Sequence, residues 1–109
     1  MPETPSIEAA DMKLIVFACE AGMGSSVMGA NQLRKLVKKA GVAAEVVHCP
    51  VGQLDDRADI VVVHKGLAAQ AKSRLPSTVI IPFTMFMNDP AVTGLVKQLA
   101  AGEAITSRL

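Results

Sequence analysis

Four short apolar runs, separated by stretches of helical spacing, constrain the fold of this 109-residue chain more than any other feature. Leu14 to Cys19 (LIVFAC), Ala44 to His48 (AEVVH), Asp59 to His64 (DIVVVH) and Thr78 to Pro82 (TVIIP) are rich in β-branched residues. Continuous runs of this kind belong to strands buried on both faces, as in parallel sheets covered by helices. Between the first two, Ser25 to Ala40 places Val27, Ala30, Leu33, Val37 and Ala40 on one helical stripe, and Gly41 follows as its stop. Gly66 to Leu75 reads as a second helix ended by Pro76, and Pro90 to Ala101 as a third, with proline in its first turn and Gly102 at its end. Residues 50–57 read as a loop or a short helical turn. Residues 1–12 mix Pro, Ser, Thr and acids without periodicity, so they are expected to be a flexible tail or linker remnant ahead of a single domain over 13–109.

Strands alternating with helices imply an α/β fold: a four-stranded parallel sheet flanked by helices on both faces. Right-handed crossovers and short loops make 2-1-3-4 the expected strand order, an arrangement that resembles flavodoxin and the low-molecular-weight phosphatases. Ligands of such sheets gather beyond the carboxyl ends of the strands, at the switch point beside the first strand, which here means residues 19–26. Composition narrows the partners. Aromatic residues make up 3% of the chain, with no Trp and no Tyr, which leaves no stacking platform for single-stranded nucleic acid. The formal charge of +1 is far from the basic surplus of a duplex binder. No apolar run approaches the roughly 20 residues that span a bilayer, and the acidic N-terminal segment has no secretory character. With two cysteines, a cytoplasmic setting is expected.

After the first strand the chain reads Cys19-Glu20-Ala21-Gly22-Met23-Gly24-Ser25-Ser26. Gly22 and Gly24 let backbone N–H groups turn inward as a nest for an anion. The start of the helix adds partial positive charge and further donors, and Ser25 and Ser26 bring hydroxyls that can cap the helix or bind an oxyanion. The same surroundings favour the thiolate of Cys19, so the expected site is a phosphate-sized cradle with a nucleophilic sulfur at its edge. The phosphatase loop that it resembles needs an arginine where Ser25 stands, and without that guanidinium hydrolysis should be poor. A Walker loop is excluded because no Lys-Ser or Lys-Thr pair follows the glycines. What remains is a site that accepts a phosphoryl group on sulfur and passes it on, with no metal or cofactor required. A cysteine phosphatase and a non-covalent anion-sensing module are the alternatives.

Lys13 to Lys35 (KLIVFACEAGMGSSVMGANQLRK) closely resembles the phosphocysteine loop and first helix of the mannitol-type enzyme IIB domain of the bacterial phosphoenolpyruvate-dependent sugar phosphotransferase system. Ala58 to Leu67 (ADIVVVHKGL) is similar, more weakly, to the third strand of that family and the turn after it. The resemblance implies that Cys19 is phosphorylated by a phosphohistidine on a IIA domain and delivers the group to a sugar in a membrane IIC domain. It implies that residues 22–26, Met23 among them, form the phosphate-binding backbone, preceded by Glu20 (where an Asp is usual) and Ala21. Met28-Gly29-Ala30 favours the mannitol branch over the cellobiose, ascorbate and galactitol branches, and the isolated domain is expected to be monomeric.

Other residues are weighed against plainer roles. Arg34, Lys35, Lys38 and Lys39 suit the end of a helix, or the docking of an acidic partner. His48, Cys49 and His64 fall at predicted strand ends on the rim of Cys19, but without a Cys-x-x-Cys-like pair they make a poor zinc site. His64 resembles a histidine in the third strand of that family and is a secondary candidate near the phosphate. Cys19 and Cys49, on neighbouring strands, could form an inactivating disulfide. Phe83, Met85, Phe86 and Met87 suit core or lid packing, or an apolar rim for a partner, and Asp89 is a candidate proton donor only for the phosphatase reading.

Overall fold

The computed structural model describes residues 6–8, 11–19, 25–42, 44–54, 57–84 and 90–106. Their elements are β1 (Ser6–Ile7), β2 (Leu14–Cys19), α1 (Ser25–Lys39), β3 (Glu45–Pro50), β4 (Ile60–His64), α2 (Ala68–Arg74), β5 (Val79–Phe83), α3 (Pro90–Ala100) and β6 (Ile105–Thr106). Single 3-10 turns occupy Val51–Gln53 and Lys65–Leu67. No helix among the described residues is long and apolar enough to cross a membrane.

The β-branched runs form a parallel sheet in the order β3-β2-β4-β5, which is 2-1-3-4 when the four are counted along the chain. Because strand residues alternate between faces, two separate cores result. Ile15, Phe17, Ile60, Val62, Val79, Ile81 and Phe83 face α1 and α3, meeting Ala30, Leu33 and Val37 of one helix and Val92, Leu95, Val96 and Leu99 of the other. Val16, Ala18, Val61, Val63 and Ile80 face the shorter α2, with Ala68, Ala71, Leu54, Ala58 and Leu75.

Both long helices end as their glycines predict. Gly41 and Gly102 each adopt φ 76°, a left-handed conformation that a Cβ disfavours. Around them Val42 N–H reaches back to Val37 O and Gly41 N–H to Lys38 O, and Glu103 N–H and Gly102 N–H repeat the pattern to Gln98 O and Leu99 O. Each helix therefore closes in a Schellman motif that satisfies its last carbonyls.

Within residues 1–12, Ser6, Ile7 and Met12 contact the rest of the chain. Ser6 and Ile7 pair antiparallel with Thr106 and Ile105, and Met12 is buried with Ile105 in the α1–α3 core. The reason is hydrophobic: Ile7, Met12 and Ile105 are apolar residues scattered among polar ones, and they cover one end of that core although they show no periodicity.

Candidate functional site

The strand order puts the topological switch between β2 and β4: the chain leaves β2 towards β3 on one side and returns to β4 on the other. The carboxyl ends of β2 and β4, Cys19 and His64, therefore flank the crevice where α/β sheets bind ligands. Cys19 is the last residue of β2, and Ser25 and Ser26 are the first two of α1, so the strand-to-helix passage falls where the sequence places the cradle. Glu20, Ala21, Gly22, Met23 and Gly24 lie outside the described residues, as do the side chains of Cys19, Ser25 and Ser26. What the backbone establishes is a cysteine at the end of an interior strand and a 15-residue helix beginning six positions later.

Behind this passage α1 is seated very closely on the sheet. A Cβ placed on Gly29 would come within 2.6 Å of Phe17 Cζ, so the helix backbone rests directly on that ring. Phe17 in turn meets Phe83 at a centroid separation of 5.0 Å, and His64 meets Phe83 edge-on at 5.7 Å and 87°. His64 is half-buried, and its Nδ1 accepts the N–H of Gly66 at 3.1 Å. By its sequence Gly66 is expected to open a helix, in the turn after the strand. The helix begins two residues later, because this N–H is taken by an imidazole and the intervening residues form a 3-10 turn.

The remaining candidates fall into place as follows. His48 is exposed on edge strand β3, paired in register with Phe17. Cys49 is a half-buried thiol registered against Ala18, whereas Cys19 is registered against Pro50. The offset of one residue separates the two cysteines in the ladder. Among the described residues no group of three or more His, Cys, Asp or Glu is placed to hold a metal ion. Phe83 is core, 2% exposed. Met85, Phe86, Met87 and Asp89 lie outside the described residues.

The basic cluster divides. Arg34 is bound to the fold: Nε and Nη2 donate to Val46 O at 3.2 and 2.7 Å, and Nη1 donates to Asn31 Oδ1 at 2.6 Å. Lys38 and Lys39 stand in the last turn of α1, where cations complement the helix dipole. At about 1.5 Å per residue, that turn is roughly 20 Å along the axis from the end that faces the Cys19 passage.

A parallel sheet covered by helices on both faces, with a cysteine ending an interior strand at the switch point ahead of a helix, places the chain in the class of small doubly wound α/β domains. Residues 14–98 match the family model described as "PTS system, Lactose/Cellobiose specific IIB subunit", and the chain belongs to that family. Among curated proteins it is 46% identical over 90 residues to the PTS system mannitol-specific EIICB component of Geobacillus stearothermophilus, covering 83% of this chain and 19% of the relative. It is 40% identical to the mannitol-specific EIICB component of Bacillus subtilis, covering 89% of this chain and 20% of the relative. It is 39% identical to the mannitol-specific EIICBA component of Pasteurella multocida, covering 89% and 15%. The chain thus spans about a fifth or less of the length of these relatives. The family description names lactose and cellobiose, and these relatives are named for mannitol.

Proposed function

We propose that this chain is the phosphoryl-carrying IIB unit of a sugar phosphotransferase system, a phosphotransferase whose sugar is mannitol or a related hexitol. The observation that carries the reading is the position of Cys19, at the end of β2 on the switch point and just ahead of α1. The thiolate attacks the phosphorus of a phosphohistidine on a IIA partner. The S–P bond forms as the N–P bond breaks, and the departing imidazole nitrogen takes up a proton. In the second step a sugar hydroxyl, held by a membrane IIC partner, passes its proton to a base of that partner and attacks the same phosphorus; the O–P bond forms as the S–P bond breaks, returning the sulfur as thiolate. Backbone N–H groups over residues 20–26 and the hydroxyls of Ser25 and Ser26 hold the phosphoryl oxygens, so the carrier step needs no metal. The fusion of IIB with IIC in the named relatives supports the membrane partner. The unit acts as a monomer.

The test is incubation with labelled phosphoenolpyruvate and the upstream carriers. Label is expected on Cys19, with a mass increase of one phosphoryl group. Cys19→Ser should abolish the acid- and base-stability profile of a thiophosphate together with sugar phosphorylation, while Cys49→Ser should leave both. Brisk release of phosphate from p-nitrophenyl phosphate, or phosphate binding with no covalent label, would replace the carrier with a phosphatase or a sensor.

A further inference from the structure

Beyond the cysteine, the crevice has a second wall, and its chemistry is legible. Val63 of β4 is registered against Ala18 of β2, so one step further along the ladder His64 comes abreast of Cys19. Neighbouring strands lie about 4.8 Å apart, which places the histidine backbone beside the residue proposed to carry the phosphoryl group. The ring belongs to the α1 side of the sheet: it abuts Phe83, Phe83 abuts Phe17, and Gly29 of α1 rests on Phe17. The helix whose first turn is to bind the anion and the imidazole therefore occupy the same face, at the same end.

The protonation pattern of the ring follows from its seat. Gly66 N–H points at Nδ1, 3.1 Å away. A ring nitrogen that accepts a hydrogen bond bears no proton, so the neutral imidazole carries its proton on Nε2. The seat is also tight, since a Cβ on Gly66 would stand 3.2 Å from Nδ1.

We infer that His64 is a binding residue for the phosphoryl group, its imidazole held through Nδ1 by Gly66 so that Nε2–H donates to an oxygen of phospho-Cys19. This role rests on the carrier reading above. The arrangement has a second consequence. With the proton on Nε2 and Nδ1 engaged by Gly66, neither nitrogen offers a lone pair to the phosphorus, so a histidine next to a phosphocysteine does not take the group for itself. It stabilises the dianion without competing for it.

The experiment uses the whole chain, charged from phosphoenolpyruvate through the upstream carriers, with the rate of phosphoryl transfer to Cys19 as readout. Long-range proton–nitrogen spectra of the unsubstituted protein read the tautomer. The Nε2–H form is expected for His64. His64→Gln, whose amide reaches the Nε2 position, should keep the rate within a few-fold. His64→Asn, which reaches only the Nδ1 position, and His64→Ala should each lose about tenfold or more, the effect of one charge-assisted hydrogen bond. An Nδ1–H tautomer, an unchanged rate in His64→Ala, or equal losses in Gln, Asn and Ala would overturn the role while leaving the carrier intact. Absence of label on Cys19 in the unsubstituted protein would overturn the carrier itself, and this role with it.

Discussion

Two single residues show how much of the site's framework depends on close backbone approach. Gly29 lies inside α1, where glycine ordinarily costs about 1 kcal/mol relative to alanine. Here the missing Cβ lets the helix settle on Phe17, itself 2% exposed and hemmed in by Phe83. Gly29→Ala should therefore reverse the usual sign: overpacking of about 1–3 kcal/mol outweighs the helix propensity gain. Urea denaturation is expected to show net destabilisation, and a stabilised variant would show that Phe17 moves aside freely. Asp59 is the second case. One carboxylate oxygen, Oδ2, accepts the N–H groups of Lys13 and Leu14 at 2.8 and 2.9 Å, and Asp59 N–H returns a bond to Leu14 O. These bonds fasten the start of β4 to the start of β2 and so set the register that brings Cys19 and His64 level. Asp59→Ala removes the one carboxylate oxygen that accepts both bonds and should cost about 2–3 kcal/mol, moderated by partial exposure. Asp59→Asn, which keeps an acceptor oxygen, should recover part of that loss in the same titration.

At the level of elements, β3 is an open edge, and an open edge is a template for association. Glu45 N–H points inward to Lys13 O, so by alternation the groups of Val46 point outward, and there Arg34 covers the Val46 carbonyl with two donors. At the other end Pro50 offers no N–H at all. The edge is thus blunted at both ends, a role for Arg34 different from the partner docking considered for the basic cluster. Arg34→Ala should show concentration-dependent self-association by light scattering, with Arg34→Lys intermediate because a single ammonium replaces a fork. A variant that remains monodisperse at high concentration would dismiss the guard. The same elements show what the sequence could reveal. Dense β-branched runs announced the buried parallel strands, and Gly41 and Gly102 announced the helix ends, because both signals are local. The exact limits of β3 and α2 were not local. β3 extends to Pro50 because β2 continues beside it to Cys19, and α2 starts late because Gly66 serves His64. For the site, the Cys-to-Ser spacing was readable from its glycines and its position, whereas the seat of His64 needs a contact that no periodicity encodes.

On the scale of the whole molecule, the pairing of β1 with β6 closes the chain on itself, and it was illegible beforehand for a physical reason. A two-residue strand has too little length to show alternation, and its partner lies at the opposite end of the sequence. The energetics sit in the apolar residues rather than the few backbone bonds. Ile105 is fully buried, Met12 is 4% exposed, and Ile7 packs against the same cluster while remaining partly open. Two changes should therefore differ in size. Ile105→Ala leaves a cavity in the α1–α3 core and should cost about 2–5 kcal/mol, a large share of the roughly 5–15 kcal/mol that holds a domain folded. Removing residues 1–8 takes away Ile7 and the strand but spares Met12, and should cost about 1–2 kcal/mol, in line with one partly buried side chain. Along the chain the clasp lies between the carboxyl end of α3 and the amino end of β2, away from the Cys19-to-Ser25 passage. The truncated protein, once folded, should thus accept label on Cys19 at the native rate. Paired urea titrations and labelling measurements check both halves: a shortened chain with native stability would reduce β1 to an ornament of the fold, and one that folds yet labels slowly would tie the clasp to the phosphoryl site.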